Sequence, residues 1–213
     1  MEGFIFKEIV SNNSNIYICS YTDFNPMHYT DHLTKTEKEK LFSFRSSDRK
    51  MEFVAARILR NRIFGLKDIH YLPDGSPNIK DERFISISHS KGVAALAVNK
   101  IHKIGLDIET PRIKILKLLD KFLSEQEKNN FDISSPKEVT KLWSVKESFY
   151  KLADRKKIHF KSELQIVKDR EGNWQGKIVN PDHDLLVKIN IFELNDLIIC
   201  INAEEVVKKH RNI

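Results

Sequence analysis

Asp107 and Glu109 stand two residues apart in the apolar run Ile104-Gly105-Leu106-Asp107-Ile108-Glu109. A strand turns alternate side chains to opposite faces, so both carboxylates share one face and Leu106 and Ile108 the other. Adjacent carboxylates repel; they need a cation between them, or one must stay protonated. Hard oxygen ligands of this kind suit Mg2+, above all with a polyphosphate partner. A second segment, Trp143-Ser144-Val145-Lys146-Glu147-Ser148-Phe149-Tyr150-Lys151, reads as helix. There Glu147 and Lys151 are four apart and share a face. This third carboxylate and two lysines, Lys146 and Lys151, complete what a Mg2+-dependent transfer at a diphosphate needs. The acids would hold the metal and the amines neutralise the leaving phosphate. Singly, the same residues also fit two acids leaving a strand into water and a surface ion pair on a helix.

Ser86-Ile87-Ser88-His89-Ser90 closes another strand. Hydroxyls, an imidazole and backbone amides at a strand end can hold phosphate. No G-x-S-x-G surrounds these serines, and neither G-x-x-x-x-G-K-[ST] nor G-x-G-x-x-G occurs, which argues against a hydrolase elbow, a P-loop and a Rossmann site. His28 and His32 are spaced i,i+4 without a third ligand and read as loop histidines.

The elements that must position these groups follow from periodicity. Residues 4–10 and 15–21 alternate like strands. Residues 34–46 read as a helix opened by a Thr cap, and 48–64 as a second, with Met51, Val54, Ala55, Ile58 and Leu59 near helical spacing and Gly65 as its stop. Pro73-Asp74-Gly75-Ser76-Pro77 is a turn. Strands are expected at 84–88, 92–99 and 103–109, then a mostly helical stretch over 112–153. Within it Ser124-x-x-Glu127 fits a capping box, and Ser135-Pro136 an N-cap followed by proline. Strands return near 163–169, 173–179, 185–193 and 196–202. The pattern predicts an α+β architecture in two parts that divide near residue 103.

With 213 residues and 31% charged side chains, the chain is long enough to bury a core and too apolar for a disordered one. No apolar run approaches the ~20 residues of a membrane span. The opening Met1-Glu2-Gly3-Phe4 lacks the basic and apolar regions of a signal peptide, so a cytoplasmic location is expected. Cys19 and Cys200 are too few and too far apart for a disulfide framework or a cysteine zinc site. The formal charge is +6, and residues 31–62 carry most of it, with nine basic against five acidic side chains. A basic face attracts phosphates, nucleic acid or an acidic protein; it also fits a solvated helix face. On residue chemistry alone, a Mg2+-dependent transferase, a Mg2+-dependent nuclease or phosphodiesterase and a non-catalytic binding module all remain open.

The motifs, taken in order, resemble those of the 4′-phosphopantetheinyl transferases of the surfactin-synthetase-associating type. The resemblance spans about residues 35–200. It rests on Phe53-Val54-Ala55-Ala56-Arg57, Ile87-Ser88-His89-Ser90, Gly105-Leu106-Asp107-Ile108-Glu109, Phe122-Leu123-Ser124-x-x-Glu127 and Trp143-x-x-Lys146-Glu147-x-x-x-Lys151. Each motif alone is weak, but the acidic strand and the W-x-x-K-E-x-x-x-K helix, about 34 residues apart, form a specific pair.

The resemblance implies two similar α+β halves forming a pseudo-dimer, with the active site at their junction. Residues 1–103 would carry the coenzyme A phosphate contacts and the basic helices; residues 104–213 would carry the metal ligands and the catalytic helix. The phosphopantetheine arm of coenzyme A would pass to a serine of an acidic acyl or peptidyl carrier protein, in fatty-acid, polyketide or nonribosomal-peptide synthesis. Adenosine 3′,5′-bisphosphate would be released. Asp107, Glu109 and Glu147 would hold Mg2+. Lys151, with Lys146, would meet the leaving phosphate. Ser88, His89, Arg45 and Arg57 would contact coenzyme A. Glu127 would assist deprotonation of the serine, beside its reading as a capping acid. A monomer without membrane or nucleic-acid partners is expected. The chain departs from many relatives at Ser76, where they have lysine, and at Glu52, where they have a basic residue; Arg45, Arg49, Lys50 or Arg57 would then supply the charge.

Overall fold

Alternating apolar residues at the start of the chain produce the hairpin of β1 (Phe4–Ser11) and β2 (Ser14–Tyr21). Asn12 takes the left-handed conformation at its tip (φ 51°), which asparagine tolerates better than most residues. The computed structural model describes residues 3–153, 157–181 and 183–210. The chain divides into two compact units, residues 1–100 and 101–213.

In the first unit α1 (Lys35–Ser43) and α2 (Ser47–Phe64) follow the hairpin. Next come the short pair β3 (Ile69–Tyr71) and β4 (Pro77–Ile79), joined through the expected turn, then β5 (Phe84–Ser90) and β6 (Val93–Asn99). The sheet is antiparallel, in the order β1-β2-β6-β5. α2 lies across it, burying Val54, Ala55, Ile58 and Leu59. Alanines 94, 95 and 97 on β6 are also fully buried.

Ser46 caps α2 by accepting from Arg49 N, and Gly65 (φ 70°) ends it. Thr34 and Glu37 form a capping box at α1. Glu37 does more than cap. It is buried and takes Arg57 Nε at 3.0 Å and Arg60 Nη2 at 2.7 Å, which ties α1 to α2.

The second unit begins with β7 (Leu106–Glu109). A 3-10 turn over Ile113–Leu118, α3 (Leu119–Phe122) and α4 (Glu125–Asn130) lead to the long α5 (Pro136–Leu152). α6 (Phe160–Glu163), β8 (Leu164–Lys168), β9 (Trp174–Val179), β10 (His183–Leu194), β11 (Leu197–Asn202) and β12 (Val207–His210) complete it. This sheet is antiparallel too, ordered β7-β11-β10-β9-β8, with β12 beside the first part of β10. Val139, Leu142, Val145, Phe149 and Leu152 of α5 join Leu164, Ile178, Val187 and Ile198 in its core.

The mixed α+β class stands. One local expectation changes: the strand expected at 103–109 is shorter, and it pairs with β11. Within the expected helical stretch Leu123 and Phe131 are extended, and Ser124 and Ser135 each start a helix, as their caps predict.

Glycine is required where α5 meets β7. A Cβ on Gly105 would stand 2.2 Å from the Ser148 carbonyl oxygen and 2.9 Å from Leu152 Cγ. Ser144 and Ser148 are small and fully buried on α5, and Ser148 Oγ donates to the Cys200 carbonyl at 3.1 Å. Helix and strand therefore approach closely at the residues that precede Asp107. No helix among the described residues is long and apolar enough to cross a membrane.

Candidate active site

Asp107 and Glu109 lie on β7, and α5 packs against that strand. Asp107 is buried, at 5% exposure, and its two oxygens are separately engaged. Ser144 Oγ donates to Oδ2 at 2.8 Å, and Lys151 Nζ donates to Oδ1 at 2.9 Å. Lys151 also donates to the Leu106 carbonyl at 2.7 Å. Glu109 accepts from Trp143 Nε1 at 3.2 Å, and Arg112 lies 3.6 Å from its other oxygen. Trp143, Ser144, Glu147 and Lys151 recur at helical spacing, so one stripe of α5 serves both acids of β7.

The acids Asp107, Glu109 and Glu147 share the company of the Lys151 ammonium and the Arg112 guanidinium. Their electrostatics show the shortage of positive charge. Burial, with the charge of Asp107, pushes Glu109 up to about 7; Arg112, Trp143 and Lys151 act the other way. Burial likewise pushes Glu147 up to about 7, assisted by Asp107 and Glu109 and opposed by Lys151. Clustered oxygen donors that raise one another's proton affinity fit a hard divalent cation such as Mg2+. Among the described residues, no three His, Cys, Asp or Glu side chains are already gathered as a metal cage.

Lys146 and Glu127 meet elsewhere, in the interior. Lys146 is fully buried, and its amine donates to Glu127 Oε2 at 2.8 Å, to the Phe122 carbonyl at 2.6 Å and to the Phe160 carbonyl at 2.9 Å. An ammonium has three protons, so none is left for a phosphate. Burial holds the amine below the usual lysine value, against the pull of Glu127. Glu127 is equally committed. Oε2 accepts from Ser124 N at 2.8 Å and Ser124 Oγ at 3.1 Å, and Oε1 accepts from Ile166 N at 3.0 Å. In this arrangement Lys146 ties α5 to α4, and Glu127 is both the capping acid of α4 and the partner of Lys146.

The groups expected to contact coenzyme A belong to the first unit. Ser88 is buried on β5, while His89 is exposed beside Arg49 and Glu52 of α2. Arg45 is exposed between α1 and α2. Arg57 is buried, bound to Glu37 and stacked 3.9 Å over the Phe53 ring. All five residues of the Phe53-Val54-Ala55-Ala56-Arg57 segment are buried. Ser76 is held by Asp74, which accepts from its amide at 2.9 Å and from its hydroxyl at 2.7 Å.

Sequence reasoning passed over Ser144 and Arg112 and did not give Trp143 its hydrogen bond. The signal for two of them was present, since 143 and 144 stand four and three residues before Glu147 on the same helical face.

Residues 103–201 match the family model described as 4′-phosphopantetheinyl transferase superfamily. No curated protein matches the chain. The matched stretch takes in both Asp107-Ile108-Glu109 and the α5 stripe.

Proposed function

We propose that this chain moves the 4′-phosphopantetheine arm of coenzyme A onto a serine of an acyl or peptidyl carrier protein, converting apo carrier to holo carrier. The order of motifs favours the surfactin-synthetase-associating type within the matched superfamily. One observation carries the reading: Lys151 pairs with Asp107 where β7 meets α5, with Glu109 and Glu147 within electrostatic reach of both, inside the segment that matches the superfamily.

In the reaction, the serine oxygen attacks the phosphorus that bears the pantetheine arm. The bond to the bridging oxygen breaks, and adenosine 3′,5′-bisphosphate leaves with that oxygen. Asp107, Glu109 and Glu147 would hold Mg2+, which when bound screens the negative charge of the diphosphate. Lys151 stands on Asp107 with its ammonium oriented, and it would neutralise charge that grows on the leaving phosphate. Ser144 and Trp143 fix the rotamers of Asp107 and Glu109. We assign the serine proton to water, since Glu127 is buried and already holds Lys146, Ser124 and the Ile166 amide. Ser88, His89 and Arg45 are the proposed coenzyme A contacts in the first unit.

The test is a mass measurement on acidic carrier proteins incubated with the chain, coenzyme A and Mg2+. The reading requires a gain of one phosphopantetheine group, lost when Mg2+ is chelated. Unmodified carriers, from fatty-acid, polyketide and nonribosomal-peptide systems alike, would overturn it.

A further inference from the structure

Arg49, Glu52 and His89 form a closed ring of contacts between α2 and β5. Glu52 Oε2 lies 3.0 Å from Arg49 Nη1 and 3.5 Å from His89 Nδ1. Arg49 Nη1 is also within hydrogen-bond distance of His89 Nε2. A guanidinium can only donate, so a neutral His89 accepts at Nε2 and carries its proton on Nδ1, the edge that faces Glu52. Arg49 and His89 are 49% and 39% exposed, so both can be reached from solvent. One carboxylate thus touches both groups and offsets the charge of Arg49. An anion approaching Arg49 and His89 meets a carboxylate that already occupies them.

We propose that Glu52 is an internal counter-anion that competes with a nucleotide phosphate for Arg49 and His89, and so limits the affinity for coenzyme A and for the bisphosphate product. This rests on the transferase reading given above, which makes His89 a coenzyme A contact. It adds Arg49 to the proposed contacts and gives Glu52 a role in specificity. The chemistry favours a dianionic phosphate over a carboxylate ligand: the guanidinium and the imidazole together offer donors to more than one phosphate oxygen, and only the higher charge outcompetes an intramolecular carboxylate. The functional consequence concerns release. Substrate and product share the same nucleotide phosphates, so a site that held them without competition would also hold the product.

The test is equilibrium binding of coenzyme A and of adenosine 3′,5′-bisphosphate to the full chain and to Glu52→Gln, Arg49→Gln and the double variant. Glutamine keeps the shape of Glu52 and removes its charge. Exposed pairs of this kind are weak, so Glu52→Gln should tighten both ligands about two- to fivefold at low salt. The gain should shrink at high salt and vanish in the Arg49→Gln background. Unchanged or weakened binding in Glu52→Gln would overturn the proposal, as would an equal gain without Arg49. A merely structural Glu52 would show as weaker binding with a lowered melting temperature, which also overturns it. The two levels separate cleanly. A wild-type chain that binds neither nucleotide defeats the transferase reading and this proposal together. A wild-type chain that binds both, with no gain in Glu52→Gln, defeats this proposal alone.

Discussion

Replacing Lys146 with methionine removes three donated hydrogen bonds and leaves the Glu127 carboxylate in the interior without a counter-charge. Breaking a buried pair from one side costs about 3–5 kcal/mol, and that loss is expected in urea unfolding of Lys146→Met. Adding Glu127→Gln removes the stranded charge and should restore part of the stability. A Lys146→Met chain as stable as the wild type would return this lysine to the chemistry. Asp107→Asn should behave in the opposite way. It keeps an acceptor for Ser144, loses the charge beside Lys151, and is expected to abolish transfer while the fold persists, as read by circular dichroism and carrier mass. The spacing of residues exposed the acids and Lys151. It also held the clue that separates the two lysines, because five residues advance a helix by about 140°, so Lys146 and Lys151 cannot share a face. What periodicity does not tell is which of the two faces is dry.

At the scale of elements, Gly105 sets how closely α5 lies on β7. Alanine there would press a methyl group onto the backbone oxygen of Ser148, which cannot swing aside. Gly105→Ala should cost about 1–3 kcal/mol, as overpacking does, and should slow transfer by shifting Asp107 against Lys151. A melting temperature and rate equal to wild type would show that strand and helix are free to separate. Caps and turns made most elements legible: Thr34, Ser124 and Ser135 each accept at a helix start, as Ser46, not read as a cap, also does. Pairing was less legible. β7 follows the β5–β6 hairpin in sequence but joins β11, a choice of partner that local alternation does not encode. β12, Val207-Lys208-Lys209-His210, is exposed throughout and gives no alternating signal; its backbone pairs with β10. The tie of Glu37 to Arg57 and Arg60 was equally hidden, because buried guanidiniums look like surface ones until their partner is placed.

For the molecule as a whole, two linked quantities follow from charge. Glu109 and Glu147 hold their protons up to about 7, whereas the same groups in the unfolded chain release them near 4.5. Between those values the unfolded state binds fewer protons, so stability falls as pH rises through that window. A cation bound by these carboxylates offsets the loss. Mg2+ should therefore raise the melting temperature more at pH 8 than at pH 5.5; an equal or reversed effect would remove Mg2+ from this site. The second quantity is encounter rate. With a net charge of +6 and a basic stretch over residues 31–62, the chain should associate faster with an acidic carrier. With coenzyme A saturating, kcat/KM for the carrier is expected to fall steeply as salt rises from about 0.1 M to 1 M, where the screening length shrinks from ~10 Å to ~3 Å. A flat profile would assign recognition to apolar contacts.

The indole of Trp143 donates to Glu109, and the chain has only one other tryptophan, Trp174, which stacks on Phe131 with Lys168 above it. The protein therefore carries a built-in optical gauge of its acidic cluster. In a Trp174→Phe background all indole emission comes from Trp143, and its colour and intensity depend on whether the neighbouring carboxylate is charged, neutral or drawn toward a cation. Titrating Mg2+ into that single-tryptophan chain should move the emission, and Glu109→Gln should flatten the response. Occupancy of the cluster could then be followed in real time, on millisecond mixing scales, without a carrier, a label or any turnover.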